Sequence, residues 1–190
     1  MKGDRVLDSA SWQAGLLELF GGTFAFAAAG PRVHEDWRRD VQAVMTLRVK
    51  DPRTWNTLVS TPPTSGAARA EEKPFADLSL DEFDRLLHPV GRESATQLLV
   101  ALQGEFYQSA NIPDFAMRKD RLFESAGEIL SRFGDKADHY TNAVEARDDP
   151  NADLTNPDTE WNCLSEFTTD CGLVVVSDSE VGVFWAFSED

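Results

Sequence analysis

The sequence predicts an α+β fold, with helices of the N-terminal and middle region packed on a small, mainly antiparallel sheet that includes a C-terminal hairpin. Three observations carry that expectation. Apolar residues recur at helical spacing in three stretches between residues 79 and 133. Near the end, Cys171–Val176 and Val181–Phe187 are apolar runs of strand length joined by Ser177-Asp178-Ser179-Glu180. Finally, 190 residues that are 42% hydrophobic, with twelve Phe and five Trp, suffice for one core, so a single domain over 1–190 is expected.

Taken in order, Asp8 or Ser9 caps a first helix carrying Trp12, Leu16, Leu17 and Phe20, which Gly21-Gly22 ends. Thr23 to Ala28 reads as a short strand. Between Pro31 and Lys50, Trp37, Val41, Val44 and Met45 share a helical face, whereas Met45, Leu47 and Val49 alternate with polar residues. The reading is a helix passing into a strand. Asp51-Pro52 has the form of a helix start, opening a short helix with Trp55 and Leu58. Residues 60–74 hold nothing periodic to bury and read as a surface linker.

Ser79 and Glu82 form a capping box, with Leu78 and Phe83 at the positions of a hydrophobic staple, for a helix ending near His88-Pro89. The next helix presents Ala95, Leu98, Leu99, Leu102 and Phe106. A third, capped by Asp114, presents Leu122, Phe123, Ala126, Ile129, Leu130 and Phe133. These three are expected to pack on one another, because each stripe must be buried. Residues 146–160 form a polar, acidic loop, and Trp161 to Phe167 reads as a strand. The last two strands are apolar on both faces, which places them centrally or beneath helices.

Charge is unevenly spread. The net −15 divides into +2 over residues 1–70 (7 acids, 9 bases), −5 over 71–134 (12 acids, 7 bases) and −12 over 135–190 (14 acids, 2 bases). A concentrated negative field speeds encounter with a basic protein and disfavours nucleic acid, so the expected partner is a basic protein. No apolar run reaches the about 18 residues of a membrane span, so no membrane partner is expected. Ala27-Ala28-Ala29 resembles a signal-peptide cleavage site. Glu18 interrupts the preceding apolar run, however, and Asp4 and Asp8 spoil a basic leader, so the expected location is cytoplasmic. Cys163 and Cys171 are too few for a disulfide framework and are expected as buried free thiols.

Enzyme signatures are sparse. The chain has no Gly-rich phosphate loop, nucleophile elbow, CxxC pair or HExxH helix. His34, His88 and His139 lie far apart in sequence, and His34-Glu35-Asp36 is the nearest approach to an acid/base or metal cluster. Asp149, Asn151, Asp153, Thr155 and Glu160 match EF-hand positions one, three, five, seven and twelve. Leu154 replaces the glycine of position six and a strand is expected to follow, so no metal is expected.

The tail TTDCGLVVVSDSEVGVFWAFSED is similar to the C-terminal hairpin of small bacterial immunity proteins that neutralise contact-dependent or polymorphic toxins. Asp170-Cys171-Gly172, the Ser177-Asp178 turn and the Phe184-Trp185 pair before an acidic end carry the likeness. It implies a stoichiometric inhibitor without a cofactor that occludes the basic active-site cleft of a toxin. Candidate partner-binding residues are the acids Asp148, Asp149, Asp153, Asp158, Glu160, Asp178 and Glu180, with Trp161 and Trp185 as aromatic anchors. The alternatives are a small enzyme using scattered His, Asp and Glu residues, and a DNA mimic with carboxylates spaced along one elongated face.

Overall fold

The computed structural model describes residues 7–60 and 74–188. Asp8 starts α1 (Ser9–Phe20) through a capping box with Ser11. The chain continues through β1 (Ala25–Pro31), α2 (Trp37–Met45), β2 (Leu58–Val59), α3 (Leu80–Leu86) and β3 (His88–Pro89). It then forms α4 (Arg92–Ala101), α5 (Phe115–Ser131), β4 (Asp138–Thr141), β5 (Thr169–Val176) and β6 (Glu180–Ser188). The six strands form one antiparallel sheet in the order β2-β1-β6-β5-β4-β3. The α+β expectation holds. The C-terminal hairpin is the centre of the sheet, and both outermost strands are two residues long.

Strand alternation sorts the core into two layers. Ala25, Ala27 and Ala29 of β1, Phe184 and Ala186 of β6, and Cys171, Leu173 and Val175 of β5 join one cluster with α1, α4 and α5. Phe26, Ala28, Val174, Val176, Val181, Val183, Trp185 and Phe187 join the other, with α2, Phe75, Phe83 and Leu164. Helices therefore cover both faces, as the two-sided apolar strands require. Gly172 lies opposite Trp185, and a Cβ there would stand 2.2 Å from the indole ring. Glycine at 172 lets the tryptophan lie flat across the neighbouring strand.

Several expectations are corrected. The first strand begins later and runs further, over Ala25–Pro31. Leu17 is exposed, and Leu19 takes its place in the core. After α2 the chain does not enter a strand, because Leu47 adopts φ +53 and its N–H bonds back to the Val44 carbonyl. Asp51-Pro52 opens no helix. The Asp51 carboxylate accepts from Arg53 N in a local turn and is otherwise committed to Arg132. The Ser79–Glu82 capping box forms, yet α3 packs with α2 on one face of the sheet, while α1 joins α4 and α5 on the other. Asp114 precedes α5 in a left-handed conformation and makes no capping bond. Almost all of the linker, 61–73, lies outside the described residues.

Two errors lie close to the acidic loop. Asp138–Thr141 is a strand that no alternation revealed, because its two buried residues, His139 and Thr141, are both polar. Residues 162–168 are not a strand. They wrap around Asp170, whose buried carboxylate accepts from Leu164 N, Ser165 N, Ser165 Oγ and Trp185 Nε1. Only Trp161 keeps a ladder contact, an isolated bridge to Ala143.

Candidate functional site

The acidic loop leaves the sheet after β4 and returns at β5. Its base is tied by Asn142, which donates from Nδ2 to the Asn162 and Asp170 carbonyls and accepts from Gly172 N. Its middle is pinned inward by Leu154, fully buried among the residues beneath α4 and α5. A 2.7 Å bond from Gly91 N to the Pro150 carbonyl fixes it to the start of α4. Asp149 accepts from Asn151 N, and Asp153 from Thr155 N and Oγ1, so two carboxylates shape their own turns.

The outward result is a set of exposed carboxylates: Asp148, Asp149, Asp153, Asp158 and Glu160. Among the described residues, Asp148 pairs with the exposed Arg147 at 3.5 Å, and no salt bridge reaches the other four. No group of three or more His, Cys, Asp or Glu side chains among the described residues is placed to hold a metal ion. The carboxylates at EF-hand spacing face solvent around the buried Leu154 instead of converging.

Asp178 is exposed at the turn between β5 and β6. That turn lies at the opposite end of the sheet from the loop, because Asp138 pairs with Val176 and Thr141 with Leu173. The eight residues of β5 separate the two acidic ends by about 25 Å. Glu189 and Asp190, which close the chain, lie outside the described residues.

Two sequence candidates are not on the surface. Glu180 is buried, accepting from Arg53 Nε at 3.0 Å and from Arg132 Nε and Nη2 at 3.1 Å each. Arg132 in turn lies 4.5 Å from the Trp12 ring centroid and 5.1 Å from that of Trp55, so a cation is held against two indoles beside two carboxylates. Trp185 is fully buried, its indole N–H given to Asp170 at 2.9 Å. Trp161 is half-buried, packed edge-on against Tyr107 at 5.8 Å. Cys163 is exposed, correcting the expectation of burial. Cys171 is buried, which pushes its thiol well above the ordinary range, and both thiols are free.

A second locality surrounds His34. Its Nδ1 lies 2.6 Å from Asp40 Oδ1, and the buried Asp40 also accepts from Arg32 Nη1, Val33 N and His34 N. The His34 side chain is 47% exposed and lines two cavities of about 680 and 400 Å³. Trp37, stacked on Tyr140 at 4.4 Å, forms a wall of both with Glu35. His88 and His139 do not join it. They are buried on adjacent strands, each with an Nε2 that has no hydrogen-bond partner among the described residues.

Sequence reasoning missed Asp40, whose pairing with His34 spans a loop and the first turn of α2. It also placed Phe106 on the inward stripe of α4. The helix stops at Ala101 instead, and Phe106 is 57% exposed. Gly104, two residues before Phe106, was the available signal that the helix had ended. Compared with known protein families, with curated proteins and with solved structures, the chain matches none.

Proposed function

We propose that this chain is a non-enzymatic acidic binding protein, of the immunity type, that inhibits a basic toxin domain by covering its active-site cleft. The loop at 146–160 carries the reading. Five exposed carboxylates share that segment with a single basic residue, Arg147, on a scaffold pinned by Leu154, Asn142 and Gly91. A rigid acidic surface meets a basic cleft without reordering cost, and the field steers the encounter. The test is genetic. A toxin domain encoded beside this chain should arrest growth when expressed alone and not when the chain is co-expressed. Persisting arrest, or neighbours that belong to a metabolic operon, would end the reading.

A second reading, a small enzyme, is favoured by His34. An imidazole whose Nδ1 meets a buried carboxylate at 2.6 Å is held in one orientation in the cavity wall. Against it, none of the three cavities described around the sheet's His34–Asp138 end and the start of α4 gathers two histidines. The DNA-mimic alternative asks for carboxylates along one face, whereas the acids here stand at opposite ends of the sheet.

A further inference from the structure

The first turn of α4 leaves its backbone donors unmatched. Gly91 stands at the N-cap and has no side chain to accept from them. The amides of Arg92, Glu93 and Ser94 have no hydrogen-bond partner among the described residues. Asn151 Oδ1 approaches Gly91 from the acidic loop, where an added Cβ would meet it at 2.5 Å, yet it bonds none of these amides. A cavity of about 230 Å³ opens at that helix end, lined by Val90, Gly91 and Arg92 and, from β4, by Asp138 and His139. It is smaller than the roughly 300–1,000 Å³ of pockets for drug-sized molecules, so its ligand is small.

Two side chains of the cavity wall set the sign of that ligand. His139 is 5% exposed, and its Nε2 has no hydrogen-bond partner among the described residues. A buried polar atom left in that state costs about 1–3 kcal/mol until something meets it. Arg92 donates from Nη1 to the Gly134 carbonyl at 3.0 Å, and its paired carboxylate, Asp135, is fully exposed and 4.0 Å away. That distant partner leaves the guanidinium free to meet a second anion, and the positive end of the α4 dipole adds to its field. Asp138, exposed, is the one opposing charge in the cavity lining. His88 is the contrast: its Nε2 is equally without a partner, but it lines none of the three cavities described.

We infer that this cavity is a binding site for a phosphoryl dianion, received by the first amides of α4, the Arg92 guanidinium and the His139 imidazole. A tetrahedral anion presents oxygens to donors on several sides, and each bond it accepts from them is charge-assisted. The site is independent of the acidic-loop reading and stands or falls without it. The test is an NMR titration of the isotope-labelled full chain with inorganic phosphate and with O-phosphoserine at about pH 7.5, where both phosphoryl groups are dianionic. Sodium chloride at equal ionic strength is the blank. Both ligands should shift the Arg92, Glu93 and Ser94 amides and the His139 ring saturably, with Kd about 1 mM or tighter, and chloride should not. The tighter of the two names the source, the free ion or a phosphorylated ligand. Arg92→Gln should weaken both about tenfold. Asp138→Asn, which removes the opposing charge at an exposed position and leaves the fold alone, should tighten both about threefold. No saturable shift, shifts that chloride reproduces or that centre on other residues, or binding indifferent to Asp138→Asn would overturn the site.

Discussion

Arg132 meets Asp51 through two parallel bonds, Nη1 to Oδ2 at 2.7 Å and Nη2 to Oδ1 at 2.8 Å, with both side chains buried. The pair joins the end of α5 to the segment after α2, and Glu180, the first residue of β6, accepts from the same guanidinium. Bidentate geometry and the two flanking indoles compensate the desolvation of three charges, but only while all three are present.

Arg132→Met should therefore destabilise the chain by about 3–5 kcal/mol, because it strands Asp51 as a buried carboxylate with no cation and leaves Glu180 with Arg53 alone. Arg132→Lys should recover only part of that, since an ammonium cannot reproduce the planar fork. Urea unfolding read by tryptophan fluorescence checks both, and a loss within error of zero would show that the carboxylates find water instead.

Asp170→Asn replaces an acceptor facing backbone N–H groups with an amide, one side of which is a donor. The cost should be about 1–3 kcal/mol, and residues 162–168 should loosen first. Hydrogen exchange at Leu164 and Ser165 measures this directly. Unchanged protection there would mean that the wrap is held by something other than the carboxylate.

Burial, aided by the Arg92 charge and opposed by Asp138, pushes His139 down to about 4 from 6.5. The unfolded chain then binds a proton between those values that the folded chain refuses, so stability falls as pH drops from about 6.5 toward 4. The full effect is of order 3 kcal/mol. His88, lowered chiefly by burial, acts in the same direction. His139→Gln should flatten that part of the profile of urea midpoint against pH, and an unaltered slope would remove His139 as its source.

Gly172→Ala would set a methyl group 2.2 Å from the Trp185 ring at the centre of the sheet. The ring cannot withdraw without leaving Asp170, so a loss of about 1–3 kcal/mol or more is expected, with altered near-UV dichroism. Gly127→Ala, inside α5 with nothing within 4 Å of the added atom, is the contrasting control and should stabilise by about 0.5–1 kcal/mol.

Replacing Asp148, Asp149, Asp153 and Asp158 together with Asn keeps the local turn bonds but removes four charges. Association with a basic partner, or with heptalysine as a stand-in, should slow about tenfold or more at low ionic strength, and the gap should close as salt rises. Glu180 is left out because its loss would unfold the chain's buried ion cluster and obscure the result.

Local signals in the sequence found the elements whose causes are local. The Ser79–Glu82 box, the α4 and α5 stripes and the two central strands each depend on residues a few positions apart, and the structure contains them. What escaped depends on partners far along the chain. Asp51 has the look of a helix cap until Arg132, 81 residues on, claims its carboxylate. Glu180 reads as a turn acid until Arg53 and Arg132 enclose it. Trp161–Phe167 has strand composition, but Asp170 bends it. The acidic loop was legible because its charge excess is contiguous, whereas the His34–Asp40 pairing and the exposure of Phe106 require knowing where helices begin and stop.

The brevity of the two border strands has a bearing on solubility as well as shape. Leu58–Val59 and His88–Pro89 border a sheet whose two central strands carry the runs LVVV and VFWAF, the kind of segment that stacks into cross-β fibrils when an edge is left open. A two-residue border offers almost no template to a second molecule, and Pro89 has no N–H to give one. The chain can thus keep its most aggregation-prone residues in the interior of the sheet, with mutual repulsion between molecules of net charge −15 as a second safeguard.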